Sequence, residues 1–453
     1  KKMALKIGIK KGFDINLQGS ISDNIVNNIP SSSFAIKPDD FIGITRPKLL
    51  VKSGDEVVAG SPLMYDKLSD DVMYTSPVSG EIADIIRGEK RKIEEIRILA
   101  DKKNRYLEFQ KFSQNDIEKM SKEVASELLK KSGCWLNIIQ RPYGMVAEPN
   151  AIPKAIFISC FDTHPLATSY KELIKENKNY IQAGIDIMKK FTNGDVHLNC
   201  NEIIYDDCDF KGVQKNIFTG PHPAGNVGVQ IHHIDPINKG DVVWTINPYG
   251  LSQIGRLFLN GMYDTSKVIS VVGSEVQNPG YFRVNIGTNV NEILNGNIKN
   301  DDSRVISGNI LTGTSISSNG YLGFYDNMIT VIPEGNHYDF LGWIKPVFNK
   351  LSFHRAFGLF SFLNAKKKYI LDTNTNGELR AFVQTGEFEK VLPMDILPTY
   401  LFKSILANDY DEMEELGIYE LIEEDVALCE FIDVSKNDLQ SLLRKGLNLL
   451  KEG

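Results

Sequence analysis

The sequence predicts a multidomain protein of mixed α/β and α+β class. The chain has 453 residues, too long for one ordinary hydrophobic core, so several domains are expected. Short β-like runs separated by Gly, Pro, Asp and Ser fill the first hundred residues, strands alternate with helices in the middle, and acidic helices fill the end. These changes of pattern predict four domains, at residues 1–105, 106–260, 261–345 and 346–453.

Composition and charge exclude some classes of protein. Hydrophobic residues make up 42% and charged residues 24%, as in folded globular proteins. The net charge of -7 argues against nucleic-acid binding, because that affinity depends on Lys and Arg meeting phosphate. No stretch approaches the roughly 20 apolar residues that span a bilayer, and the N-terminal segment has no apolar signal-peptide core. We therefore expect a cytoplasmic protein that meets a membrane only through a partner.

The first domain is predicted to be a biotinyl/lipoyl-like β-sandwich. Gly54 and Gly60 supply tight turns between short strands, and Pro77 does so in the second half. Proteins of that fold carry a swinging cofactor on a lysine at a hairpin tip. The corresponding tip, residues 66–73, has only Lys67, which comes too early, so we expect a structural module.

The second domain is predicted to be a Rossmann-like α/β layer. One helix is expected over residues 115–132, with Gly133 closing it. Ala155–Cys160 is an apolar run typical of a buried strand, and alternating elements follow as far as a helix that ends at Gly261. Val227–Ile234 is predicted to be a strand.

A Gly/Pro-rich loop lies where a dinucleotide-binding fold would cradle a phosphate. It consists of Gly220, Pro221, His222, Pro223, Ala224 and Gly225. A phosphate loop needs backbone N–H groups at a helix N-terminus, and proline has none. With a strand predicted after the loop and no Gly-x-Gly-x-x-Gly anywhere, the sequence favours a rigid turn over a cofactor site.

The third domain is predicted to be a β-grasp of the soluble-ligand-binding type, and the fourth to be helical. Residues 267–296 read as a strand, an Asn-Pro-Gly turn, a strand, a Gly-Thr turn and a helix. Helices are then expected at Pro398–Leu406, Met413–Leu416, Glu423–Phe431 and Asp438–Leu450, with Asp409–Glu415 as a solvated connector.

Cysteine and histidine spacing predicts no metal site. The five cysteines are odd in number and widely spaced, which fits a reducing compartment. There is no Cys-x-x-Cys pair, so an iron–sulfur cluster of the usual spacing or a cysteine-based zinc site is not expected. His232 and His233 on a strand would point to opposite faces and share no ion. His164, in the loop after the first buried strand, is the histidine best placed for function.

Motifs along nearly the whole chain resemble one family. They are Lys10-Lys-Gly-Phe-Asp14, Gly43-x-x-Arg-Pro47, Thr75-Ser-Pro-Val-Ser-Gly80, Arg87-Gly-Glu-Lys-Arg91, the Gly220–Gly225 loop, Val305-Ile-Ser-Gly308, Tyr321-Leu-Gly323 and Phe340-Leu-Gly-Trp343. The family that they resemble is the alpha subunit (NqrA) of the Na+-translocating NADH:quinone reductase.

The resemblance implies a respiratory complex of six subunits, NqrA to NqrF, that moves Na+ outward while passing electrons from NADH to quinone. It implies that the NADH site, FAD, FMN, riboflavin and the 2Fe-2S centre belong to partner subunits, and that this chain carries no tightly bound cofactor. It also implies a peripheral position on the cytoplasmic side of the inner membrane. The isolated chain is expected to be inactive.

Quinone binding would need an apolar slot with a few polar groups for the headgroup. Two segments, near Phe41–Arg46 and Trp135–Tyr143, combine apolar or flat side chains with an arginine. Their candidate quinone contacts are Phe41, Ile44, Arg46, Trp135, Arg141 and Tyr143. The competing interpretation is interdomain packing with an arginine whose stem is buried. Two other functions stay open: a stand-alone NAD(H)- or flavin-dependent oxidoreductase, and a pure scaffold subunit.

Overall fold

The computed structural model describes residues 4–22, 26–335, 337, 340–341, 350–354, 367–382 and 385–452. Its strands form sheets of seven, six, four and three strands, with helices packed on and beside them. The predicted multidomain α/β and α+β class is confirmed. The predicted boundary near residue 345 and the Gly-Trp half of the motif at 340–343 lie outside the described residues.

Nine strands lie within the first hundred residues. They are β1 (Lys6–Gly8), β2 (Val26–Asn28), β3 (Ser33–Ile36), β4 (Pro47–Leu49), β5 (Glu56–Val57), β6 (Pro62–Asp66), β7 (Ser69–Thr75), β8 (Gly80–Arg87) and β9 (Ile93–Ala100). One antiparallel sheet has the order β3-β9-β8-β5 and the other β4-β6-β7. Ile82, Ile96 and Ile98 face inward and are fully buried, as the period of two in a half-buried strand requires.

The α/β domain surrounds the seven-stranded sheet. Its elements are α1 (Gln114–Lys119), α2 (Lys122–Ser132), β10 (Ile139–Arg141), β11 (Met145–Val146), β12 (Ala155–Ser159), α3 (Lys171–Glu176), α4 (Lys178–Met188), β13 (Val196–Cys200), β14 (Gln214–Thr219), α5 (Val227–Ile234), β15 (Val243–Ile246) and α6 (Pro248–Asn260). The strand order is β1-β14-β13-β12-β15-β10-β11. The first five strands in this order, β1, β14, β13, β12 and β15, are parallel to one another. Strand β10 runs antiparallel to both of its neighbours, β15 and β11.

Helix ends follow the local sequence closely. The helix predicted over 115–132 is divided in two, because Ser113 and Ser121 each cap a helix with their side chains. Gly133 and Gly261 end α2 and α6 with φ of 85° and 68°, a left-handed conformation that favours glycine.

The prediction of a strand at Val227–Ile234 is wrong, because this segment is helix α5. Its β-branched residues favour a strand locally. However, β14 and β15 lie in one parallel sheet, and a parallel connection needs a crossover, which is usually a helix. Burial of Gly228, Val229, Gln230 and Ile231 on the sheet outweighs the local preference.

Five strands and five α-helices follow the α/β part of the chain in the described residues. They are β16 (Ser266–Val272), β17 (Gly280–Asn285), α7 (Val290–Leu294), β18 (Ser303–Ser307), β19 (Thr314–Ile316), β20 (Met328–Pro333), α8 (Pro398–Ala407), α9 (Tyr410–Glu415), α10 (Glu423–Ile432) and α11 (Leu439–Glu452). The six-stranded sheet has the order β19-β18-β20-β16-β17-β2. The connector predicted at Asp409–Glu415 is wrong, because Asp409 caps helix α9 there.

Strands β1 and β2 pair with neither sheet of the sandwich, although the sequence pattern grouped them with it. Strand β1 pairs in parallel with β14, with Lys6 opposite Ile217. Strand β2 pairs in parallel with β17, with Val26 opposite Tyr281. Each covers an edge strand of another domain's sheet, which would otherwise expose unpaired backbone groups.

Candidate functional site

A buried polar cluster lies at the carboxyl edge of the parallel sheet. Strands β12 and β14 end there, and the loops that follow them carry His164 and His222. The chain runs outward from β12 through β13 to β14 and then returns to β15 on the other side of β12. Ligands of open α/β sheets bind at such a reversal of strand order, outside the carboxyl ends of the strands.

The Gly220–Gly225 loop stands in the usual phosphate position of such folds, between strand β14 and helix α5. The amides from His222 onward, however, already donate to groups of the same chain. The His222 N–H donates to Asp14 Oδ1 at 2.8 Å, and the Gly225 N–H donates to Thr163 Oγ1 at 2.9 Å. The N–H groups of Ala224 and Asn226 donate to the carbonyls of Pro221 and Pro223.

The N-terminus of helix α5 is covered by the first turn of helix α10. A Cβ added at Gly228 would lie 2.3 Å from Asp425 Oδ1, so the Asp425 carboxylate stands against this turn. Asn226 Nδ2 donates to the Glu424 carbonyl at 2.9 Å. A helix N-terminus attracts anions, and here a carboxylate of the same chain occupies that position.

Arg141 holds this contact together from β10. Its side chain is 1% exposed, and Nη1 donates to Asp425 Oδ2 at 2.7 Å while Nη2 donates to Glu424 Oε1 at 2.5 Å. Burial opposes its charge, but the two carboxylates outweigh burial and raise the pKa of Arg141. The guanidinium is therefore committed to an internal ion-pair network.

Two histidine rings lie close together beside this network. The His164 and His222 centroids are 4.8 Å apart, and His164 Nδ1 is paired with Asp162 Oδ1. His222 Nδ1 lies 3.1 Å from Thr163 Oγ1. The Nε2 atoms of both rings are buried and have no hydrogen-bond partner among the described residues.

Burial and pairing move the pKa values of the two imidazoles apart. Burial opposes protonation of His164, but attraction to Asp162 outweighs it and raises the pKa of His164. The same pairing lowers the pKa of Asp162 despite its burial. Burial, and then repulsion by His164, lowers the pKa of His222 to about 3. Neighbouring groups with shifted pKa values are a feature of sites that accept or hold a proton.

We expect His222 to make the protein less stable in acid. Its pKa in the fold, about 3, lies below the value of roughly 6.5 for an unfolded chain, so unfolding takes up a proton as pH falls between these values. The loss should be about 1.4 kcal/mol per pH unit within that window. In urea unfolding measured against pH, the His222→Gln variant should show a slope shallower by one proton. The exposed His233→Gln variant is the control for losing an imidazole, and a wild-type slope in His222→Gln would contradict the prediction.

Buried side chains pack against the segment Phe41–Arg46 and hydrogen-bond its backbone. Phe41 is 2% exposed and packs edge-on against Tyr74, with centroids 4.8 Å apart, and against Phe324 at 4.9 Å. The buried carboxylate of Asp66 accepts the N–H groups of Thr45 and Arg46 at 2.8 Å and 3.2 Å. Ile44 is half-buried, and Arg46 is exposed and makes no ion pair with a described residue.

The second predicted quinone segment is largely internal. Trp135 is fully buried, donates from Nε1 to the Ala147 carbonyl at 2.7 Å, and packs edge-on against Trp244 at 5.6 Å. Tyr143 is half-buried at a φ of 81°, and its ring lies 6.3 Å from Tyr419. Trp135 makes packing contacts, and Arg141 makes ion pairs. Contacts of this kind are expected from the competing interpretation of the sequence pattern, which is interdomain packing.

The fold nevertheless brings the two segments together. A Cβ added at Gly43 would lie 3.0 Å from the Met145 side chain, just beyond the second segment. Tyr325 bridges them, since its ring lies 5.9 Å from that of Phe41 and its hydroxyl donates to the Leu136 carbonyl at 2.8 Å.

The other histidine pair is satisfied by protein groups. On helix α5 the rings of His232 and His233 lie 5.3 Å apart. His232 pairs with Glu420 and accepts the Asp395 N–H, while His233 hydrogen-bonds the Val229 carbonyl.

Sequence reasoning missed Asp162, Glu424 and Asp425 as members of the cluster. Asp162 is two residues from His164 and could have been singled out as its partner. Glu424 and Asp425 read simply as acidic residues in a first helical turn, which favours them anyway.

Family models match three consecutive parts of the chain. A model described as the NqrA N-terminal barrel-sandwich hybrid domain matches residues 7–101. The NqrA second alpha/beta domain matches residues 120–263, and the NQRA C-terminal domain matches residues 268–318. The two-sheet N-terminal module predicted from the turns is thereby confirmed. These domains define one component of an NADH–quinone reductase.

Relatives match over nearly their whole length. The NqrA protein of the Na(+)-translocating NADH-quinone reductase from Neisseria meningitidis serogroup C is 37% identical, over 99% of this chain and 100% of its own. Its counterpart from Rhodopirellula baltica is 36% identical over 98% and 97%. The chain belongs to this family, NqrA, and is one part of a multisubunit oxidoreductase.

A crystal structure of an NAD+-reducing NiFe hydrogenase matches with a TM-score of 0.35, 13% identity and 48% of each chain. No helix in the described parts of the chain is long and apolar enough to cross a bilayer.

Proposed function

We propose that this chain contributes to quinone binding and reduction within a Na+-translocating NADH:quinone reductase, through the segment Phe41–Arg46. The observation that carries the proposal is an exposed arginine beside apolar side chains on a rigid loop. Ile42 is 40% exposed, Ile44 is half-buried, and the Asp66 carboxylate fixes the backbone that bears Arg46. A quinone needs such an apolar surface for its ring and a donor for a carbonyl oxygen.

The buried residues of the second segment enter this proposal as positioning residues. Trp135 and Arg141 fix the loop that ends near Met145, and Met145 packs against Gly43. Tyr143 is the member of that segment with a partly exposed ring. Quinone contact in this segment is therefore assigned to Tyr143 and not to the two fully buried side chains.

Replacing Arg46 by alanine should raise the apparent KM for quinone about 5- to 30-fold, because a hydrogen bond from a charged donor contributes roughly 1–2 kcal/mol. The measurement is NADH-driven quinone reduction by the assembled complex. Arg46→Lys should recover only part of the affinity, since lysine lacks the planar fork of donors. Arg380→Ala, which removes another exposed arginine, is the matched control. Quinone kinetics of wild-type quality in Arg46→Ala, with the complex intact, would refute the assignment.

We further propose that NADH, FAD, FMN, riboflavin and the 2Fe-2S centre are held by partner subunits. Two contacts support this. In the Gly220–Gly225 loop the N–H groups of His222 and Gly225 donate to side chains of the same chain, and Asp425 covers the adjacent helix N-terminus. Stoichiometric flavin absorbance in the purified chain, or NADH binding in calorimetry, would instead favour a stand-alone oxidoreductase. A quinone photolabel that fails to mark this chain within the complex would favour a scaffold.

The partners are proposed to be the other five subunits, NqrB to NqrF, with the chain peripheral on the cytoplasmic side of the inner membrane. All five cysteines are free thiols, as a reducing compartment allows. The α/β sheet is proposed to be Rossmann-like because parallel strands run outward from β12 and then resume beyond it. The sheet of β16 to β20 is proposed to be a β-grasp, and the four predicted domains are kept as a proposal, apart from β1 and β2, which pair with the sheets of the second and third.

A further inference from the structure

Three buried thiols meet beside the α/β sheet. The sulfur atoms of Cys160, Cys200 and Cys208 all lie within 4.8 Å of one another. Their residues are 2%, 0% and 0% exposed. They come from three separate segments, so the sequence spacing that argued against a cysteine site does not describe their arrangement in space.

The fold brings them together by register and by one returning loop. Ser159 pairs with Asn199 in the parallel strands β12 and β13, so the next residues, Cys160 and Cys200, are neighbours on one face. The Cys160 N–H donates to the Asn199 carbonyl at 2.9 Å.

The loop between β13 and β14 supplies the third thiol. Asn201 Oδ1 accepts the Ile204 N–H at 3.1 Å, and the buried Ile204 anchors the loop. The Cys208 N–H then donates to the Ile204 carbonyl at 3.1 Å. Cys208 is therefore held by backbone hydrogen bonds against the ends of both strands.

The two remaining cysteines show what a cysteine does here as simple packing. Cys134 and Cys429 are each fully buried, and neither belongs to a group of potential metal ligands among the described residues. A free cysteine behaves as a small hydrophobic residue, and packing alone gives no reason for three sulfurs to converge.

One lysine brings positive charge near the cluster. Lys215 Nζ lies over the Tyr205 ring, 3.5 Å from its centroid, and Tyr205 belongs to the loop that carries Cys208. A nearby cation favours the thiolate form of cysteine, which is the form that binds metal ions.

We propose that Cys160, Cys200 and Cys208 form a binding site for one thiophilic metal cation, of which Zn2+ is the test case. Three sulfurs at a metal–sulfur distance of about 2.3 Å would lie roughly 4.0 Å apart in a trigonal arrangement. The observed separations require a contraction of less than about 1 Å, which side-chain rotation about Cα–Cβ supplies. Soft sulfur ligands select Zn2+ or Cu+ over Mg2+ or Ca2+.

The site would join two strand ends to the loop that follows β13. Its role is structural, because the sulfurs are buried away from solvent. The proposal does not depend on quinone contacts, and it concerns neither flavin nor an iron–sulfur cluster.

The test is titration of the full-length reduced chain with Zn2+, and separately with Co2+ as a spectroscopic probe. One Zn2+ should bind per chain, Co2+ should show a sulfur-to-metal charge-transfer band, and Zn2+ should raise Tm. Cys160→Ser, Cys200→Ser and Cys208→Ser should each weaken Zn2+ binding by more than the roughly 10-fold that is typical of losing an outer partner. Cys134→Ser and Cys429→Ser are matched controls, since each removes one buried thiol outside the cluster, and they should bind as the wild type does.

A measurement on the wild-type chain tests the proposal even where the cysteine variants fail to fold. In pulsed alkylation followed by mass spectrometry, Zn2+ should slow the labelling of Cys160, Cys200 and Cys208 and leave Cys134 and Cys429 unchanged. Equal labelling of all five with and without Zn2+, or Zn2+ binding that survives loss of all three thiols, would overturn the proposal. A disulfide within the cluster, with no Zn2+ bound after its reduction, would overturn it as well.

Discussion

Replacing Arg141 by alanine is expected to destabilise the protein by about 3–5 kcal/mol, because it leaves a buried carboxylate without its counter-charge. Arg141 is 1% exposed, and its partner Asp425 is fully buried. The variant also opens the contact between β10 and the start of helix α10. The free energy of unfolding in urea is the measurement.

The matched control is Arg105→Ala. Arg105 also pairs with a carboxylate, Asp101, but on the surface, so its loss should change stability by less than about 1 kcal/mol. Replacing Arg141 and Asp425 together by apolar residues should recover part of the loss. Unaltered stability in Arg141→Ala, with a raised KM for quinone, would return this arginine to the quinone site and contradict its assignment as a buried ion pair.

Trp135→Ala should cost a similar amount, about 3–5 kcal/mol, because it empties a large volume in a well-packed core. Trp135 is fully buried between Phe191 and Trp244, and its Nε1 donates to the Ala147 carbonyl. Thermal or urea unfolding measures the effect. Trp135→Phe keeps most of the packing and loses the hydrogen bond, so we expect about 1–2 kcal/mol.

Tyr400→Ala serves as the surface control, since Tyr400 is 50% exposed and its loss should stay within about 0.5 kcal/mol. If Trp135→Ala lowered quinone affinity while the unfolding curve stayed in place, the packing role would be wrong. Together the Arg141 and Trp135 variants separate the internal residues of the second segment from Arg46, whose replacement should change KM and leave stability unaltered.

Local conformational demands could be predicted from the sequence. Gly133 and Gly261 end helices because the chain turns left-handed there, and glycine adopts that conformation without steric cost. The break between β16 and β17 was predictable for another local reason, because Pro279 has no N–H for a strand ladder.

Long-range demands could not be predicted. Val227–Ile234 has the β-branched composition of a strand, yet the topology of the sheet requires a helix. Strands β1 and β2 have three residues each, and their partners lie far along the chain. The cysteine cluster shows the same limit. The sequence spacing of Cys160 and Cys200 reveals neither the register of β12 and β13 nor the course of the loop that carries Cys208.

The candidate site was predicted in part. The composition of an arginine among aromatic and apolar residues is the same in a ligand slot and in an interdomain core, so it could not separate Arg46 from Arg141. The partner that gives Arg141 an internal ion pair is Asp425, which lies 284 residues further along the chain. His164 was singled out from its place after a buried strand, and it does belong to the buried cluster.

The pairing of β1 with β14 constrains the order in which parts of the chain can fold during synthesis. Lys6 lies opposite Ile217, so β1 must wait while about 200 further residues are translated, on the order of ten to forty seconds at usual elongation rates. Throughout that interval the sandwich that follows β1 can fold, whereas the partner strand of β1 has not yet been made. A nascent chain arrested shortly before residue 214 should therefore expose this N-terminal segment to a protease, and a chain released beyond β14 should protect it.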